Sequence, residues 1–214
     1  RDRYYICNDG GVMRTTEIIP APLDSVLDTP DFTWQTQWED LNDGMQITSF
    51  YRLGLSLSNP GTLIAGSQDN STFYFDGQTW LNSVGGDGME CLIHPSNPDR
   101  LYASSQHGRI VFSSDGAQSY HTISNSIRQD PNELAEWTTP FQLQPGNPST
   151  LIAGFSNLWK TSNIGQDWTQ HSTFPPMPGF SAAPPASALA VAPSDSNTIY
   201  LSLIHISEPT RHRR

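Results

Sequence analysis

Residues 91–105 read CLIHPSNPDRLYASS. Three other stretches repeat the form: LGLSLSNPGTLIAGS (53–67), FQLQPGNPSTLIAGF (141–155) and LAVAPSDSNTIYLS (189–202). Each holds a short apolar run, a polar turn and a second apolar run. Asn59, Asn97, Asn147 and Asp195 align in the turns, with spacings of 38, 50 and 48 residues. Asn and Asp bond backbone two residues on, and Pro presets φ, so both residue types favour a chain reversal here. Runs such as Leu-Ile-Ala-Gly are too short for the 3.6-residue period of a helix. Bounded by turns, they read as buried strands.

Each copy is followed by two further strand candidates. Thr72–Phe75 and Thr79–Ser83 follow the first, Arg109–Ser113 and Ser119–Ile123 the second, and Leu158–Thr161 and Asp167–Ser172 the third. The connecting sequences DGQ, DGAQ and NIGQD suit tight hairpins. The unit is therefore four antiparallel strands, recurring at a period near the ~40–50 residues of β-propeller blades. The predicted fold is all-β: a propeller fragment over residues 1–200, with about three nearly complete blades and parts of two more. It is expected to be incomplete at both ends, because Arg1–Cys7 already reads as a strand in mid-flow. A Pro- and Asp-rich insertion at about 18–37 is predicted to form a loop.

Composition agrees. The 214 residues include 16 Gly and 17 Pro but only 15% charged residues, so turns and short strands fit better than long helices. Eleven basic against twenty-one acidic residues give a net charge of −10. That disfavours nucleic-acid binding, which needs clustered Lys and Arg. No apolar run approaches the ~20 residues of a membrane span. Six Trp and 36% apolar residues argue against disorder.

Two hairpin sequences carry a family resemblance. SSDGAQSY (113–120) and TSNIGQDW (161–168) resemble the Asp-box, S-x-D-x-G-x-x-W, of sialidase-like and sortilin-like propellers. Ala117 and Tyr120 depart from it in the first copy, and Thr161 and Asn163 in the second. The resemblance implies that Ser113, Asp115, Tyr120, Thr161, Asn163, Gly165 and Trp168 are structural: Ser and Asp satisfy the turn, and the aromatic anchors the outer strand. Residues 38–108, with W-x-x-L-N, G-S-Q-D-N and G-G-D-G, resemble secreted bacterial propellers of the sortilin/BNR-repeat group. A secreted or cell-surface location is implied by that resemblance alone. NDGGVMR (8–14) resembles the D-x-G-G-x-Y-R of xyloglucanase-type glycoside hydrolases, but Asn8 stands where the acid belongs, so the catalytic role is not carried over.

LSLIHISEPTR (201–211) resembles a translated sequencing adaptor. This implies that residues 201–214 are a non-native tail and that the chain was translated from an assembled environmental read. Residues 1–200 hold eight of the eleven basic and twenty of the twenty-one acidic residues, a net of −12.

Propeller topology sorts the loops. Second-to-third-strand loops and blade crossings share one face; the Asn-Pro and Asp-box turns share the other. Asn8-Asp9, Gln68-Asp69-Asn70, Gln106-His107 and Ser156-Asn157 are second-to-third loops, and Gly85–Gly88 is a crossing. Function usually sits on loops carried by a rigid scaffold. The ligand-binding candidates are therefore Asn8, Asp9, Gln68, Asp69, Asn70, Asp87, Gln106 and His107. Asp69, Asp87 and Glu90 are also the candidate acids for glycoside hydrolysis, one held protonated and one acting as nucleophile or base. They could equally hold Ca²⁺ through several oxygens, or merely satisfy loop N–H groups. No other cofactor is expected. His94, His107, His121 and His171 lack zinc spacing, no nucleophile elbow occurs, and Cys7 and Cys91 are expected to be free, buried and unpaired. The leading reading is a non-catalytic propeller, more binder than enzyme. It would take a protein or glycan ligand through its polar loop face, with remaining blades elsewhere in the protein. The alternative is a xyloglucanase- or sialidase-like glycoside hydrolase.

Overall fold

A computed structural model of the chain describes residues 3–8, 11–17, 37–43, 48–176 and 181–203. The chain divides into two compact units, Arg1–Ile47 and Thr48–Arg214. The first contains one antiparallel sheet of β1 (Tyr4–Asn8), β2 (Gly11–Thr15) and β3 (Glu39–Asp40), in that order. Arg14 bridges to Glu39 across β2 and β3, its Nε donating at 2.9 Å. Asp9, and residues 18–36 of the predicted loop, lie outside the described residues.

The second unit repeats one sheet. Blade I comprises β4 (Phe50–Leu55), β5 (Leu63–Ser67), β6 (Thr72–Phe75) and β7 (Trp80–Val84). Blade II comprises β8 (Cys91–Ile93), β9 (Leu101–Ser105), β10 (Arg109–Ser113) and β11 (His121–Thr122). After a helical turn, α1 (Asn125–Arg128), blade III follows as β12 (Phe141–Gln144), β13 (Asn147–Gly154), β14 (Leu158–Thr161) and β15 (Thr169–Gln170). A hairpin, β16 (Ala186–Val191) and β17 (Ile199–Leu203), ends the described chain. Every sheet is an antiparallel meander in chain order. The chain is an all-β propeller fragment of four-stranded blades.

Alternation along the strands explains the stacking. Leu101, Ala103 and Val111 pack toward Ile64, Tyr74 and Val84 of blade I. Their neighbours Tyr102, Ile110 and Phe112 pack toward Phe141, Leu151 and Ala153 of blade III. Ile152 and Leu158 then meet Val191 of the hairpin. Successive side chains of a strand point to opposite faces, so each continuous apolar run serves two interfaces. All of β9 is buried for this reason.

Three expectations change in detail. Two of the outer strands are shorter than predicted: β11 and β15 have two residues each, whereas β7 keeps five. The third repeat turn differs from the rest. Gln144 pairs with Asn147 around Pro145-Gly146, and Gly146 has φ +76°, a position that favours Gly. The 50-residue spacing is explained by the long crossing that contains α1. Cys7 is exposed rather than buried, whereas Cys91 is buried; both thiols are free.

Candidate functional site

The loops sort to two ends of the second unit. At one end the Asn97 turn and the Ser113 hairpin touch, as the Gly116 N–H donates to Asp99 O at 3.1 Å. At the other end Asp87 joins two loops: its Oδ1 accepts the Asp69 N–H at 3.0 Å, beside a parallel bridge between Ser71 and Asp87. The Gly88 N–H donates to Ser67 O at 2.9 Å. A Cβ on Gly66 would stand 2.1 Å from Met89 O, so only Gly lets the crossing lie against β5.

The three candidate acids have separate tasks. Asp87 is buried and spent on the loop tie. Asp69 is exposed, with φ +58°, a conformation that Asp tolerates better than most residues. Glu90 pairs with Arg52 Nε at 3.3 Å. Burial raises its carboxyl above the usual range, and Arg52 only partly opposes this. Cys91, beside it, has its thiol pushed up to about 12 by burial, which makes it a poor nucleophile. Asn70 is exposed, and its amide donates to Gln68 O at 3.0 Å.

The same end continues across blades II and III. Gln106 Oε1 would lie 3.0 Å from a Cβ on Gly86. His107 is exposed at φ +54°, its ring edge-on to Trp137 with centroids 5.2 Å apart. Its carbonyl accepts from Arg128 Nε at 3.2 Å. Glu133 is buried and accepts both the Asn157 N–H (3.1 Å) and its amide (2.6 Å). Ser156 accepts from the Leu134 N–H and donates to Ala183 O at 2.6 Å. Leu134 and Trp137 stand exposed on the crossing. Sequence reasoning did not single out Arg128 or Glu133; the long repeat spacing was the only signal for their crossing. Asn8 pairs with Gly11 in the first unit. Among the described residues no three His, Cys, Asp or Glu side chains group as metal ligands.

The residues for which the resemblance implied a structural role close their turns alike. Ser113 Oγ donates to Asp115 Oδ1 and accepts the Ala117 N–H; Thr161 Oγ1 donates to Asn163 Oδ1 and accepts the Gly165 N–H. Asp115 accepts the Gln118 and Ser119 N–H groups, as Asn163 accepts that of Asp167. Tyr120 packs against the blade I–II core. Trp168 reaches the preceding blade, its Nε1 donating to Ile123 O at 2.7 Å. Two open grooves lie at this turn end. One of about 650 Å³ runs between Arg100 and His121 of blade II and Ile164–Gln166 of blade III; the other, of about 330 Å³, is flanked by Gln144 and Lys160.

No family model matches the chain, and no curated protein matches it. Solved structures do. An ancestral GH74 enzyme superposes with a TM-score of 0.54 at 13% identity, over 72% of this chain and 21% of its own. The GH74 xyloglucanase from Xanthomonas campestris gives 0.52 at 16% identity, over 69% and 26%. The Niastella koreensis GH74 enzyme gives 0.50 at 18% identity, over 74% and 28%. The likeness is one of fold. The chain spans about a quarter of the length of these enzymes. Among the described residues no helix is long and apolar enough to cross a membrane.

Proposed function

We propose that this chain belongs to a non-catalytic ligand-binding propeller, secreted or held at a cell surface. It binds protein or glycan through the end that carries Gln68–Asn70, Asp87, Gln106 and His107. The observation that carries this reading is the use of the acids. Asp87 and Glu133 are consumed in loop–loop ties, and Glu90 in an ion pair, so the acids brace a surface rather than face one reacting atom. Exposed Asp69, Asn70, His107 and Trp137 stand on that braced surface. The paired turn hydrogen bonds support the Asp-box reading of the opposite end. Residues 201–214 are read as a non-native tail, and further blades as belonging to missing sequence.

One observation favours the second reading, a glycoside hydrolase. Glu90 is a carboxyl that burial keeps protonated to higher pH, the state required of a general acid. Its partner carboxylate would then lie outside this stretch. The distinguishing experiment incubates the protein with xyloglucan and measures both retention and new reducing ends. Retention without new ends is expected. Reducing ends that disappear in Glu90→Gln would establish the enzyme reading instead.

A further inference from the structure

The larger groove has a composition unlike the rest of this acidic chain. Arg100 leaves the repeat turn half-buried, its guanidinium over the Phe112 ring at 5.5 Å from the centroid. The exposed His121 ring meets the same Phe112 edge-on, with centroids 5.4 Å apart. Two cation-capable groups are thus fixed on one buried aromatic. None of the lining residues is acidic. The ion pairs among the described residues use Arg14 and Arg52, not Arg100. In a protein of net charge −10, a lining with one Arg, one His and no acid stands apart.

Its other wall is apolar and rigid. Ile164 lines it at φ +59°, a strained conformation for a β-branched residue. Packing holds it there: Ile164 and Trp168 lie against the blade II–III core, and a Cβ on Gly165 would stand 2.5 Å from Ile123 O. Strain held by packing is a feature of preorganised sites. Ser114 and Gln166 add polar groups, and the volume falls within the ~300–1,000 Å³ of small-ligand sites.

We propose that this groove binds a carboxylated sugar, a hexuronate unit of an acidic glycan. Arg100 would take the carboxylate through its planar fork. Ile123 and Ile164 would meet the apolar face of the ring, while Ser114 and Gln166 would meet its hydroxyls. An acidic peptide fits less well, because the adjacent edge strand β11 offers only two residues for backbone pairing. The site lies at the opposite end from the loop surface and does not depend on its function.

The test titrates the full chain with trigalacturonate, neutral galactotriose and triglutamate, read by calorimetry and amide chemical shifts. Saturable binding of the uronide alone is expected, with shifts at Ser114, His121 and Ile164–Gln166 and weakening by salt. Arg100→Gln should weaken it at least about tenfold, and His121→Gln severalfold. Arg109→Gln, the same charge change elsewhere, should leave it intact, with circular dichroism confirming that each variant folds. No saturable binding by the wild type up to about 10 mM overturns the proposal. So does equal binding of the neutral sugar, preference for triglutamate, or equal loss in Arg109→Gln.

Discussion

Tyr102 and Tyr200 occupy the same position in two copies of one repeat, five residues after the aligned turn residue. Tyr102 is 1% exposed and Tyr200 is 65% exposed. The difference is not in the strand: both sit in a hairpin closed around an Asx turn, with Asn97 accepting the Asp99 N–H and Asp195 that of Asn197. It lies in what faces the strand. Blade II is covered on both sides, whereas β16–β17 has a packed face toward Ile152 and Leu158 and leaves Tyr200 exposed. A repeat specifies a strand with two apolar faces, and its neighbours decide whether both are used.

That contrast can be broken by matched substitutions. Tyr102→Ala should cost about 3–5 kcal/mol of unfolding free energy, and Tyr200→Ala within about 0.5, as measured by denaturant midpoints. Equal effects would mean that blade II is less tightly enclosed than its burial indicates.

Glycines give the next contrast. Gly66→Ala places a methyl against the Met89 carbonyl and should cost about 1–3 kcal/mol. Gly61 has no neighbour nearer than 3.8 Å to such a methyl, so Gly61→Ala should change stability by less than about 0.5 kcal/mol.

The loop ties come third. Glu133→Gln keeps one acceptor for Asn157 but loses the charge, and should cost about 1–2 kcal/mol. Hydrogen exchange should rise at Asn157 and Phe174, which Asn157 Oδ1 holds at 2.8 Å.

The smallest effect compares the two hairpins in acid. The Ser119 hydroxyl and N–H, with Ser113, hold the Asp115 carboxyl at about 2. Its folded value lies below its unfolded one, so its contribution is present above the usual carboxylate range near ~3.9 and is lost as pH falls toward about 2. Asn163 makes the matching bonds without titrating. Asp115→Asn should therefore flatten the stability profile between about pH 4 and pH 2, seen as a smaller acid-induced fall in Tm.

Much of this architecture was legible because the signal was repeated. Four copies of one turn located the hairpins, and strands β6, β10 and β14 fall at the predicted bounds. The outer strands β11 and β15 were less legible, because two paired residues leave little pattern. At the candidate site, the residue types of Asp69, Asp87 and Glu90 marked them out, but not their separate tasks. Those depend on an Asp69 N–H eighteen residues from Asp87, and on Arg52, thirty-eight residues from Glu90. Glu133 and Asn157, also far apart in sequence, gave no local signal.

The sequence by itself determined the blade: short apolar runs and Asx turns make local antiparallel meanders, because their hydrogen bonds close within about forty residues. Only the tertiary structure decided which faces are buried, which acids brace loops, and where concave space opens. Those outcomes arise where one blade meets the next. There a strained Ile164, a Trp168 bonded to Ile123 O and an Arg100 stacked on Phe112 come together from separate copies of the repeat.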